Sequence, residues 1–104
     1  MPLLPLMQST KQPVRSAYVI FIQTICEGLV PAWYDESNYP VVYTTELEAQ
    51  REIADDLMEH LQQFLDGERE FEDAIAIEDI IMPVDVWPDG SISIEDGSTF
   101  GKRN

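Results

Sequence analysis

The stretch from Thr44 to Asp66, 23 residues with neither glycine nor proline, constrains the fold more than any other part of the chain. Thr45 followed three residues later by Glu48 makes a capping box, and Glu46 and Glu48 complement the positive end of a helix that starts there. At roughly 100° per residue, Leu47, Ile53, Ala54, Leu57, Met58, Leu61, Phe64 and Leu65 fall on an arc of about 140°. That arc predicts a face covering the rest of the protein, and Gly67 supplies the left-handed stop.

The segments on either side of this helix read as strands. Ala17 to Glu27, "AYVIFIQTICE", is rich in β-branched and aromatic residues and predicts a mostly buried strand, bent or ended by Gly28 and Pro31. The polar group Asp35, Glu36, Ser37 and Asn38 separates two apolar and aromatic pieces, which predicts a turn returning into a strand through Val41 to Tyr43. Beyond the helix, Phe71, Ala74, Ile75 and Ile77 suit a short second helix or an irregular turn before a strand from about Asp79. Val84 and Val86, then Ile92 and Ile94, alternate with polar residues around Trp87-Pro88-Asp89-Gly90, a type I turn with Gly90 at a left-handed position. The expectation is an α+β fold, β-β-α-β-β in order, with one long amphipathic helix packed on one face of an antiparallel sheet. At 104 residues the chain suits one domain, read as residues 17–97 between an N-terminal tail, 1–16, and a C-terminal tail, 98–104. The apolar start "MPLLPLM" is expected to lie on its own body or on a neighbouring copy, which makes a homodimer, with tail exchange as one route, part of the reading.

Charge narrows the function classes. The net charge is −14. All 20 acids fall between Ser16 and Gly101, with only Arg51 and Arg69 to offset them, so that window alone carries −18. Binding phosphates requires lysine and arginine to replace condensed counterions, so direct nucleic-acid binding and attachment to anionic membranes are excluded as expectations. With 44% hydrophobic residues the chain is too apolar to be disordered throughout. The single Cys26 allows no internal disulfide and reads as a small buried hydrophobe in the first strand. No apolar run of about 18 residues exists, and the start lacks the positive region of a signal peptide; a cytoplasmic location is expected.

Two surfaces stand out as interaction sites. Glu48, Glu52, Asp55, Asp56 and Glu59, with Asp66, share the helix side opposite the apolar arc. That ridge fits three uses: a solvated face, a docking surface for a basic protein partner, or a mimic of nucleic-acid phosphates that occupies a DNA-binding protein. Trp33, Tyr34 and Tyr39 cluster near the polar turn, with Trp87 able to join them. Large, stiff, amphipathic residues of this kind anchor interfaces, or form a minor core beneath a loop.

Chemistry is harder to find. Asp85 to Asp96 superficially matches a calcium loop, but Trp87 occupies the third ligand position and Pro88 favours the hairpin. His60 is the lone histidine, reads as a boundary residue beside Asp56 and Glu59, and lacks a second histidine for a metal. Cys26 and His60 lie on different elements, against a nucleophile and base pair. No phosphate loop, serine elbow or zinc helix motif occurs. No catalytic residue, metal ligand or cofactor is therefore assigned, and the chain is not expected to be an enzyme.

The run "PVVYTTELEAQREIAD" and the later "VDVWPDGSI" resemble short uncharacterised acidic bacterial and phage proteins of the mobile gene-cassette type. In these a strand runs directly into a Thr-Glu-x-Glu-Ala helix start and a DG hairpin follows. The resemblance implies the layout and a mobile-element setting, with no catalytic residue to carry over. The functional expectation is a non-catalytic protein-protein interaction module; a nucleic-acid mimic and a small-ligand or metal-binding domain are the alternatives.

Overall fold

The structure, a computed structural model, describes residues 12–103; the apolar start of the chain lies outside them. Its centre is β1 (Arg15–Thr24), which pairs on one side with β2 (Gly28–Pro31) and on the other with β3 (Ile80–Val86). Between β2 and β3 come the long helix α1 (Glu46–Leu65) and the single turn α2 (Phe71–Ala74). Two short strands, β4 (Ile92–Ser93) and β5 (Thr99–Phe100), complete a five-stranded antiparallel sheet in the order β2-β1-β3-β4-β5. This is the expected α+β fold with one long helix on a sheet. Among the described residues no helix is long and apolar enough to cross a membrane.

Alternation along β1 assigns the two faces of the sheet. Ala17, Val19 and Phe21 point to one side with Val84, Val86, Ile92 and Ile94, forming the main core with Leu29, Val42, Met82 and Phe100 packed against it. Phe21 and Phe100 meet edge to face, with ring centroids 5.4 Å apart. In a flat sheet β1 and β5 would lie three strand spacings apart, roughly 14 Å. The sheet therefore curls strongly around the core, and β5 swings back toward β1.

The helix lies on the other face. Tyr43 exchanges both backbone hydrogen bonds with Tyr18, at 2.8 Å each, so its side chain shares the face of Tyr18 and Ile20. Glu52 and Asp56 of α1 line a cavity with Tyr43, which places the helix over that face. Ile20 there is 2% exposed, and Ala49 is the fully buried residue of α1.

Local signals account for most boundaries. Thr45 Oγ1 accepts from the Glu48 N–H at 3.1 Å, and Glu48 Oε1 accepts from the Thr44 N–H at 3.0 Å, so the capping box forms with its return bond one residue early. Gly67 ends the helix at a φ of 80°. The β3–β4 hairpin turns at Trp87 to Ser91 as expected, with Gly90 at a φ of 91°.

Four expectations are revised. The strand partner after the first turn is Gly28–Pro31, whereas Val41 to Tyr43 contributes a single bridge at Tyr43, because the loop from Trp33 to Pro40 forms its own small hairpin. Thr99–Phe100, in the segment read as a tail, is β5. Cys26 is exposed, since β1 ends at Thr24 and residues 25–27 make the turn into β2. The apolar arc of α1 does not face the sheet as a whole: Leu47 is 54%, Met58 66% and Leu65 73% exposed. Only two residues link the Tyr43 bridge to α1, and that short tether sets the rotation of the helix so that Ala49 is buried and Ile53, Asp56, Leu57, His60, Leu61 and Gln63 are half-buried.

Candidate functional site

The residues singled out in the sequence as a helix ridge and an aromatic loop meet in one place. Trp33, Val41, Tyr43, Glu52 and Asp56 line a cavity of about 340 Å³ between the loop and the exposed flank of α1. Each wall follows from the fold. The small hairpin holds Trp33 by the Val41 N–H bonded to the Trp33 carbonyl at 3.1 Å. The bridge to Tyr18 holds Tyr43, and the spacing of Glu52 and Asp56, one helical turn apart, aims both carboxylates at the same opening.

The electrostatics favour a cation. Burial pushes the Tyr43 phenol up to about 12, and the neighbouring Glu52 carboxylate adds to the rise. Tyr43 therefore stays neutral at physiological pH and presents an aromatic wall with a hydroxyl. Glu52 is exposed and Asp56 half-buried. His60 lies 3.6 Å from Asp56 on the following turn. Asp79, at the foot of the same helix face, is raised by burial and then by Asp56, with His60 pulling the other way. The arrangement joins two aromatic rings to two carboxylates on an open rim, the composition that receives a positively charged group by cation–π contact and charge-assisted hydrogen bonds.

The remaining predicted residues divide. Glu48, Asp55 and Glu59 are solvent-exposed on α1, continuing the ridge away from the cavity. Tyr34 carries the Arg103 guanidinium over its ring, 4.2 Å from the centroid. Tyr39 lies against the β3–β4 turn, where a Cβ on Gly90 would come within 3.1 Å of its ring. Trp87 donates its indole N–H to Ser93 Oγ at 2.9 Å and is not part of the cavity. The four aromatics thus do not form one cluster: Trp33 faces the helix, and the others tie the loop, the hairpin and the C-terminal segment together. Val41 and Tyr43, which complete the cavity, were read only as strand residues. Their signal was the alternation after Pro40, which places Val41 and Tyr43 on one face and Val42 on the other.

A larger cleft of about 630 Å³ opens where the curled sheet leaves β2 and β5 apart, between Gln23, Leu29, Ile94 and Phe100. Glu27 and Asp96 also line it, and Asp96 already accepts from the Ser98 N–H at 2.8 Å, a bond that lowers its pKa. Among the described residues no three histidine, cysteine or acidic side chains gather as a metal site. Among family models, curated proteins and solved structures, none matches this chain.

Proposed function

We propose that the protein is a non-catalytic binding module that takes an arginine side chain of a basic protein partner into the cavity formed by Trp33, Tyr43, Glu52 and Asp56. The observation that carries this reading is the convergence of aromatic loop and acidic ridge on one opening. A guanidinium fits it better than an ammonium, because a planar fork stacks on an aromatic face while bonding to more than one carboxylate. The loop already accepts one guanidinium, that of Arg103 on Tyr34. The exposed acids Glu48, Asp55 and Glu59 extend the surface, and the net charge of −14 steers a basic partner toward it.

Calorimetric titration with a short arginine-containing peptide, against its lysine counterpart, tests the reading. Glu52→Gln with Asp56→Asn should weaken binding roughly tenfold or more, equivalent to about 1.4 kcal/mol. Glu48→Gln with Asp55→Asn removes the same charge outside the cavity and should weaken it far less. Equal losses from the two pairs would mean that the peptide responds to overall charge, and the cavity reading would fail.

A further inference from the structure

Independently of the cavity, α1 carries an apolar row that is largely exposed, with Leu61 half-buried at its border. Leu47, Ala54, Met58, Leu61 and Leu65, with Arg51, fall at intervals of four, three, four, three and four residues. That is the a/d spacing of a coiled-coil seam, an arc of roughly 80° on the helix. Leu47, Met58 and Leu65 are more than half exposed, so the seam is open to another molecule. Ala49, Ile53, Leu57 and His60, which are covered, lie on a different side that the seam borders at half-buried Leu61, and Glu52 and Asp56 lie nearly opposite the seam.

We infer that the occupant is a second copy of this chain, paired through α1 in antiparallel orientation about a twofold axis near residue 56. In that register Leu47 meets the partner's Leu65, Arg51 the partner's Leu61 and Ala54 the partner's Met58. Arg51 selects the orientation. A parallel pair would bury Arg51 against its own copy, whereas the antiparallel pair sets it beside the partner's Leu61, from where its long side chain reaches the partner's last helical turn. That turn contains no base, is followed directly by Asp66, and carries the negative end of the helix dipole. Arg51 makes no ion pair among the described residues and is exposed, so it is available for this contact. The charge pattern agrees: two strongly acidic bodies would approach through the side of α1 that the ridge leaves uncharged, apart from Asp55 near the axis. Both cavities stay open on the outer sides, giving the pair two arginine sites at a fixed separation.

Light scattering on the full chain, on a version lacking residues 1–11 and on Met58→Glu tests the pairing, with circular dichroism confirming that each is folded. The full chain and the shortened chain should both be dimers at high salt, and Met58→Glu a monomer. In a Cys26→Ser background, a mixture of Leu47→Cys and Leu65→Cys chains should crosslink through a disulfide. Neither alone should, because a residue 47 and its own copy would stand about 27 Å apart along the axis. A monomer under all conditions overturns the inference, as does a dimer that survives Met58→Glu. A dimer lost with residues 1–11 assigns the contact to that segment, and crosslinking of Leu47→Cys alone shows a parallel pair; each would equally overturn it.

Discussion

Replacing Phe21 and Phe100, singly and together, tests the curl of the sheet that gives the fold its shape. Phe21 is fully buried in β1, and its ring meets Phe100 of β5 at 5.4 Å. Truncating Phe21 to alanine should cost roughly 3–5 kcal/mol. That is a large share of the roughly 5–15 kcal/mol that holds a domain of this kind together. Leucine is the safer replacement, at a cost of about 1.5 kcal/mol, and less at the half-buried Phe100. An edge-to-face aromatic pair contributes roughly 0.5–1.5 kcal/mol beyond the area that it buries. Urea unfolding of the wild type, Phe21→Leu, Phe100→Leu and the double variant, followed by circular dichroism, should therefore show a coupling of that size. If the two costs simply add, to within about 0.5 kcal/mol, β5 does not fold back over β1 and the curled core is wrong.

Three further perturbations probe the elements that place the cavity. Thr45→Ala removes the acceptor of the Glu48 N–H and should lower stability by about 1 kcal/mol in chemical denaturation, with the loss shrinking if the first turn of α1 is already frayed. Gly90→Ala meets both a positive φ and the Tyr39 ring, so a loss of roughly 1–3 kcal/mol is expected. The same change in a Tyr39→Ala background should cost less, and an equal cost would deny the contact between loop and hairpin. Asp79 is harder to ionise in the folded chain, first through burial and then through Asp56, so the folded state holds its proton to higher pH than the unfolded one. Its ionisation opposes folding as pH rises through the folded value; Asp79→Asn should raise the melting temperature at neutral pH and lose that advantage below the ordinary aspartate range, near about 3.9. An unchanged difference across that window would contradict the assignment.

The helix, its start at Thr45 and its stop at Gly67 were legible because capping and breaker residues act locally. The β3–β4 hairpin was legible for the same reason. What the pattern could not carry was rotation and curvature. The apolar arc of α1 correctly marked a helix but misplaced its covered side, since the two-residue link from Tyr43 set the azimuth and put Ala49 against the sheet. β5 escaped notice because a two-residue strand has too little alternation to register, and its place depends on the ring contact with Phe21. Cys26 followed from a strand drawn three residues too long past Thr24. The cavity was half legible: Glu52 and Asp56 came from helical spacing and Trp33 from its residue type. Their meeting depends on the long-range bridge between Tyr18 and Tyr43, which no local pattern encodes.

The most direct test of the arginine cavity is a titration of isotope-labelled protein with N-acetyl-arginine amide, followed by nuclear magnetic resonance. The account predicts that the indole signal of Trp33 and the side-chain signals of Tyr43, Glu52 and Asp56 shift together and saturate. Trp87, held by Ser93 outside the cavity, should stay in place. Small, unsaturable shifts spread evenly over Glu48, Asp55 and Glu59, with Trp33 unmoved, would contradict it.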